Sequence, residues 1–265
     1  MNSTLQRSLL GMYRFVRATR VLDTRLGRRV FVWVYRTYKE RLEAGPIHLL
    51  RRWVEPGTVV IDVGANIGYF ALRFAAWVED GGKVIALEPE AGNYAELQRA
   101  VERCGRSAVV ETCQVAVADA SGTGFLELHR WHPGDHRLGT RGVAVAVTTL
   151  DELLRARGWP AVSLIKIDVQ GAEARVLAGA AELLRRSRPV MFIEVDESAL
   201  RRYGSDAGEL LRRCADSGYT IHELSAAGPS PALTSSQALS RLGAHAYRDL
   251  LFLPLGSPPN DASRR

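Results

Sequence analysis

The chain has 265 residues, 46% of them hydrophobic, which suits one α/β domain with additions or two small domains. Three cysteines without paired spacing argue against a disulfide framework or a zinc knuckle. No apolar run approaches a membrane span and the first residues lack a signal-peptide pattern, so we expect a cytoplasmic protein. The net charge of +6 comes from the first 54 residues, whereas a nucleic-acid-binding domain spreads its charge over a working face.

The pattern of residues 1–45 predicts a basic helical appendage, because apolar side chains follow one helical face and arginines lie elsewhere. This segment either packs on its own domain or contacts an anionic acceptor, a membrane surface or a second copy of the chain in a homo-oligomer. From residue 46 to 255, apolar strands alternate with amphipathic helices. This alternation predicts an α/β, Rossmann-like domain with a mostly parallel seven-stranded sheet and helices on both faces.

Residues 121–148 interrupt the alternation between the strands predicted at 109–117 and 162–169. Two segments of alternating hydrophobicity, "GFLELHR" and "GVAVAVT", flank a polar loop, which predicts an inserted β-hairpin. Such a hairpin would overhang the pocket at the carboxyl ends of the strands, and this position favours a role as a lid. Residues 256–265 are rich in Pro, Ser and Asn, which predicts a disordered tail.

The stretch "IDVGANIG" follows the first predicted strand and raises the question of what its turn binds. A nicotinamide-binding GxGxxG motif would need glycines where Asn66 and Tyr69 stand. A P-loop would need Lys-Ser where the chain has Tyr69 and Phe70. An NAD(P)-linked oxidoreductase therefore remains only an alternative. Glu88, at the end of the second predicted strand, can accept hydrogen bonds from a ribose diol.

Five segments resemble FkbM-type methyltransferases in order and spacing over about residues 45–225: "VVIDVGANIGYFAL", "GKVIALEPE", "VTTLDELL", "LIKIDVQGAEARVLAGA" and "PVMFIEV". The resemblance implies a class I methyltransferase fold, S-adenosylmethionine as cofactor, and O-methylation of a small-molecule acceptor such as a sugar or polyketide. A non-catalytic binding protein with the same fold is a further alternative. The cofactor-binding residues that we expect are Asp62, Gly64, Asn66, Gly68, Glu88 and Asp119.

A hydroxyl acceptor has to be aligned with the methyl group and has to lose its proton. Asp168 ends the fourth predicted strand and is our first candidate for the base. His136, in the loop segment "GDHRL", is the second candidate catalytic residue. We expect Arg137, Gln170 and Glu194 to contact the acceptor.

Two metal hypotheses remain open. Asp168 and Glu194, on adjacent strand ends, could hold a divalent cation, although no third ligand is evident and no metal is predicted. His129, His132 and His136 could bind a transition metal or simply belong to a polar loop. Glu173 is interpreted as a helix-start residue. No nucleic-acid acceptor is expected, because the sequence lacks an Asn/Asp-Pro-Pro-Tyr motif that would hold a flipped base.

Overall fold

The computed structural model describes residues 46–78, 81–128, 136–242 and 247–256. The appendage predicted for residues 1–45, the insertion's loop at 129–135 and nearly all of the predicted tail lie outside these ranges. The metal hypothesis for His129 and His132 and the homo-oligomer hypothesis therefore fall outside the described residues. Within the described ranges, no helix combines the length and hydrophobicity that a membrane span requires.

A 3-10 helix at Ile47–Trp53 leads into an alternating series of strands and helices. The α-helices are α1 Tyr69–Phe74, α2 Ala91–Arg103, α3 Leu150–Arg155, α4 Glu173–Ala178, α5 Ala181–Ser187, α6 Glu197–Arg202, α7 Ala207–Asp216 and α8 Ser235–Leu242. The strands are β1 Val59–Val63, β2 Lys83–Leu87, β3 Val110–Cys113, β4 Ala116–Val117, β5 Gly122–Glu127, β6 Arg137–Gly139, β7 Val143–Thr148, β8 Val162–Ile167, β9 Val190–Asp196, β10 Tyr219–Ser225, β11 Gly228–Pro229 and β12 Tyr247–Pro254.

The main sheet has the order β11-β10-β12-β9-β8-β1-β2-β3. Strands β9, β8, β1, β2 and β3 run parallel, and β12 lies antiparallel between β9 and β10. From β1 the chain first builds outward through β2 and β3, then continues on the other side with β8 and β9. The switch point therefore lies between β1 and β8, where a sheet of this kind opens a crevice at the carboxyl ends.

Two details of the predicted architecture were wrong. The main sheet contains seven strands of four or more residues, as expected, but the two-residue β11 adds an eighth at the edge. The strand predicted at 109–117 is split, because the backbone N–H of Val115 bonds to the carbonyl of Cys113 and turns the chain. Its first half is β3 of the main sheet and its second half is β4 of another sheet.

The insertion contains the predicted hairpin, since β5 and β7 pair antiparallel. It is larger than a hairpin, however: β4 and β6 extend it to a four-stranded sheet with the order β4-β7-β5-β6. A two-stranded hairpin is marginally stable in water, and the added strands help it to bury Leu126, which is 2% exposed.

Alternate residues of the central strands pack into two hydrophobic clusters, one on each face of the main sheet. One cluster includes Val60 of β1, Leu164 of β8 and Phe192 of β9. Two residues further along each strand, the same face continues towards the carboxyl edge. The polar residues at these positions are Asp62, Lys166 and Glu194. Their common face is what brings distant parts of the sequence into one site.

Candidate active site

The turn between β1 and α1 has a left-handed backbone at three positions: Gly64 (φ +77°), Asn66 (φ +49°) and Gly68 (φ +89°). The backbone N–H groups of Gly64 and Ala65 both donate to the carbonyl of Leu87, which fixes the turn against β2. A Cβ atom on Gly64 would lie 2.0 Å from the carbonyl oxygen of Asp168. Glycine is therefore required at this position for the turn to pack against the end of β8.

Glu88 directly follows β2 and connects this turn to the next loop. Its Oε2 accepts the backbone N–H of Asn66 at 2.9 Å, and its Oε1 accepts that of Glu90 at 2.9 Å. Each oxygen retains a second lone pair for another donor. Burial raises the pKa of Glu88 to about 7, although both N–H donors act in the opposite direction.

Asp62 lies on β1 with its side chain fully buried. Lys166 is its register partner on β8, and the Lys166 Nζ lies 3.4 Å from Asp62 Oδ1. This distance makes the contact an ion pair rather than a hydrogen bond. Burial raises the pKa of Asp62, and the charge of Lys166 partly offsets that increase. The structure thus places Asp62 beneath the glycine turn, against a buried cation.

Lys166 is the central residue that sequence reasoning missed. Its side chain is 4% exposed, and Nζ donates to the carbonyl of Gly64 at 2.9 Å. The same Nζ lies 3.4 Å from Asp168 Oδ2 and 5.0 Å from the centre of the Phe70 ring. One ammonium group therefore connects the glycine turn with two carboxylates. The available signal was a lysine inside the apolar run "LIKIDV", because a buried charge needs partners.

The structure brings Asp168 together with two of the predicted acceptor contacts, Gln170 and Glu194, at the ends of β8 and β9. The amide nitrogen of Gln170 donates to Asp168 Oδ1 at 3.2 Å and to Glu194 Oε1 at 3.1 Å. The Asp168 side chain is 20% exposed, in contrast to the fully buried Asp62. Asp168 is thus an acid at the carboxyl edge that both contacts the buried lysine and reaches the surface.

Glu173 begins α4, as predicted, but it also organises the loop that precedes this helix. Its Oε1 accepts the backbone N–H groups of Val169 at 3.1 Å and Gly171 at 3.0 Å. The residue is 2% exposed, and burial raises its pKa to about 7. Glu173 therefore fixes the loop that carries Asp168 and Gln170.

The remaining candidates lie towards the insertion. The described contacts place Asp119 with Arg175 of α4, at 2.7 Å, rather than with the glycine turn. His136 is half-buried and immediately precedes β6, and Arg137 is the first residue of that strand. The Arg137 side chain is outside the described part of the structure.

A cavity of about 420 Å³ separates the inserted sheet from helices α4 and α6. Its lining residues are Glu127, Leu138, Gly139, Thr140, Arg175, Arg202 and Tyr203. The Tyr203 hydroxyl donates to the carbonyl of Leu138, and a Cβ on Gly171 would lie 2.8 Å from the Tyr203 ring. Tyr203 therefore lies between the cavity and Gly171 of the loop that carries Asp168, but residues 168–172 do not themselves line the cavity.

No group of three or more His, Cys, Asp or Glu residues in the described ranges has an arrangement suited to a metal ion. Asp168 and Glu194 form a pair with an amide nitrogen between them. The divalent-metal hypothesis for this pair remains open.

The strand order β3-β2-β1-β8-β9-β12-β10, in which β12 alone is antiparallel, places the glycine turn and the acids at the switch point of the sheet. This fold and this edge of polar residues define a class I methyltransferase. A family model described as the methyltransferase FkbM domain matches residues 62–221. The chain therefore belongs to the FkbM family of S-adenosylmethionine-dependent methyltransferases, which confirms the resemblance seen in the sequence.

The chain is also similar to individual proteins. The 31-O-demethyl-FK506 methyltransferase FkbM of Streptomyces tacrolimicus is 32% identical over 166 residues, which are 49% of this chain and 63% of the relative. A crystal structure of methyltransferase FkbM from Methylobacillus flagellatus KT has 18% identity and a TM-score of 0.45, covering 75% of this chain and 44% of that one. The O-methyltransferase from Bacillus cereus, in complex with SAH, has 15% identity and a TM-score of 0.45, covering 92% and 89%.

Proposed function

We propose that the protein transfers the methyl group of S-adenosylmethionine to a hydroxyl group of a small polar acceptor. The observation that carries this proposal is the position of Asp168, whose partly exposed carboxylate lies at the end of β8 while its carbonyl packs against the glycine turn of β1. The name of the Streptomyces tacrolimicus relative denotes transfer to an oxygen, which supports a hydroxyl acceptor.

The glycine turn and Glu88 fit S-adenosylmethionine, which supplies a methyl group on a positively charged sulfur when bound. The free lone pairs of Glu88 suit the two ribose hydroxyls. The left-handed backbone at Gly64, Asn66 and Gly68 shapes the turn at the same edge. Asp119 remains a prediction as a cofactor contact.

Asp168 is the group that we assign to proton removal. Bound S-adenosylmethionine would supply the methyl group to the acceptor oxygen, and Asp168 would take the proton of that hydroxyl group. A positioned base contributes about 10²–10⁴ in rate. Lys166 and Gln170 contact different oxygens of this carboxylate and restrict its orientation. We assign acceptor binding to His136 and Arg137. His136 immediately precedes β6, and Arg137 is the first residue of that strand.

The cavity beside the inserted sheet has the size of a small-molecule site, at about 420 Å³, although Asp168 does not line it. Arg175 and Arg202 offer hydrogen-bond donors, Glu127 offers acceptors, and Tyr203 contributes an aromatic ring. This mixture matches a polar molecule with several hydroxyl groups. A sugar, a polyketide or another secondary metabolite fits this description.

The proposal is tested by incubating the protein with methyl-labelled S-adenosylmethionine and a small-molecule metabolite extract. The expected product is a metabolite that gains the mass of one methylene group and shows an O-methyl signal by NMR. The Asp168→Asn variant serves as the control and should transfer little label. Binding of NADH without binding of S-adenosylhomocysteine would instead indicate an oxidoreductase. Binding of S-adenosylhomocysteine without transfer to any pool would indicate a non-catalytic protein.

A further inference from the structure

The loop that joins β8 to α4 has an uncommon backbone. Gln170 has φ +55°, a left-handed conformation that few residues other than glycine adopt. The loop keeps this conformation because Glu173 accepts the backbone N–H groups of Val169 and Gly171. Strained positions of this kind persist where the surroundings fix them, and they are frequent at functional sites.

The result of this backbone is that the Gln170 side chain reaches back to two strand ends. Its amide nitrogen lies 3.2 Å from Asp168 Oδ1 and 3.1 Å from Glu194 Oε1. An amide NH₂ group has two hydrogens, so each carboxylate receives one. The reverse orientation would set a carbonyl oxygen against two acids. Adjacent carboxylates repel each other, and a donor between them offsets that repulsion.

The geometry points to Gln170 as a positioning residue: its amide holds Asp168 and Glu194 together and occupies the position that a divalent cation would take between two carboxylates. This inference rests on the proposed function, because Gln170 acts through Asp168, the assigned base. Lys166 lies 3.4 Å from the other oxygen of Asp168, so both oxygens have a fixed partner. The chain thereby orients its base with an amide and an ammonium group.

A single substitution reverses this arrangement. An amide nitrogen has no lone pair to offer a cation, whereas magnesium and manganese prefer carboxylate oxygens. Gln170→Glu therefore replaces the donor with a third carboxylate and converts the amide bridge into a cation site. Gln170→Met removes the donor without adding a charge, so Asp168 Oδ1 and Glu194 Oε1 lose the amide hydrogens between them.

The experiment measures Mn²⁺ binding to the full chain by isothermal titration calorimetry, without any acceptor. Gln170→Glu is expected to bind one Mn²⁺ at least about tenfold more tightly than the wild type, with Gln170→Met between them. Gln98→Glu, an exposed site on α2, is the matched control and should behave as the wild type. Titration with S-adenosylhomocysteine verifies that each variant is folded.

Turnover supplies a second measurement. Gln170→Glu should lose kcat in cation-free buffer, keep its acceptor KM, and recover activity with Mn²⁺, a rescue that a purely structural role would not produce. The inference is overturned if wild type and Gln170→Glu bind Mn²⁺ equally, or if Gln170→Met binds no more tightly than wild type. If Gln170→Glu fails to bind S-adenosylhomocysteine, that variant is not folded, and the Mn²⁺ affinity of Gln170→Met alone then tests the inference. Because the Mn²⁺ titration requires neither acceptor nor turnover, its failure is distinct from a failure of methyl transfer.

Discussion

Lys166 of β8 and Asp168, which directly follows this strand, form an ion pair at 3.4 Å. The lysine side chain is 4% exposed, whereas that of the aspartate is 20% exposed. The carboxylate is thus held from inside the protein by a cation while one side of it remains accessible. The same ammonium also contacts Asp62 and the carbonyl of Gly64, so the glycine turn and the assigned base share one buried charge.

Lys166→Met should reduce the free energy of unfolding by about 3–5 kcal/mol, because Asp62 is left as a fully buried acid without its cation. Urea denaturation measures the loss. Lys83→Met, at the exposed first position of β2, is the matched control and should change stability by less than about 1 kcal/mol. Equal losses in the two variants would show that the charge of Lys166 has no special role.

Glu88→Ala should weaken the binding of S-adenosylhomocysteine by about 10- to 100-fold, through loss of the hydrogen bonds assigned to the ribose. Isothermal titration gives the dissociation constant. Glu102→Ala, an exposed acid on α2, is the matched control and should bind as the wild type does. Unchanged affinity in Glu88→Ala would place the ribose elsewhere.

Gly64→Ala should destabilise the protein more than Gly204→Ala does, although both glycines have similar left-handed backbones, with φ +77° and +75°. A Cβ at Gly204 meets no atom within 4 Å, so its cost is the conformational one of about 1–2 kcal/mol. A Cβ at Gly64 would also collide with the Asp168 carbonyl. Thermal denaturation compares the two variants, and equal losses would argue against the packing of the turn on β8.

The sequence predicted the parts of the site that depend on local order along the chain. Acids that directly follow apolar runs, such as Glu88 and Asp168, end at the carboxyl edge because a parallel sheet aligns its strand ends. The glycine turn was located for the same reason. These features need only the positions of strands and loops, not the order of strands in the sheet.

The sequence did not predict contacts that depend on register between distant strands. Lys166 and Gly64 are 102 residues apart, and their hydrogen bond follows from the pairing of β1 with β8. The role of Gln170 depends on its left-handed backbone, which the letters "DVQGAE" do not specify. Likewise, the inserted sheet gains β4 only because the predicted third strand turns at Cys113.

Stability should depend on pH through Glu173, because burial raises its pKa from 4.5 to about 7. Between these values the native protein binds more protons at this site than the unfolded chain, so this contribution to the free energy of unfolding falls as pH rises. Glu173→Gln removes the titrating group. Its free energy of unfolding relative to the wild type should therefore increase steadily from pH 4.5 to pH 7. Urea denaturation across this range, with the exposed Glu102→Gln as control, measures the difference, and a pH-independent difference would contradict the assignment.

Asp168→Asn preserves the shape of the side chain and removes its charge, so turnover should fall by about 10²–10⁴ if this residue takes the acceptor's proton. Affinity for S-adenosylhomocysteine should change little, since the cofactor contacts that we propose involve the glycine turn and Glu88. His136→Ala, next to β6, should instead raise the acceptor KM more than it lowers kcat. Steady-state kinetics with the acceptor found by labelled transfer separates these outcomes. An Asp168→Asn protein with kcat within about threefold of wild type would remove Asp168 as the base and leave His136 beside the inserted sheet as the remaining candidate.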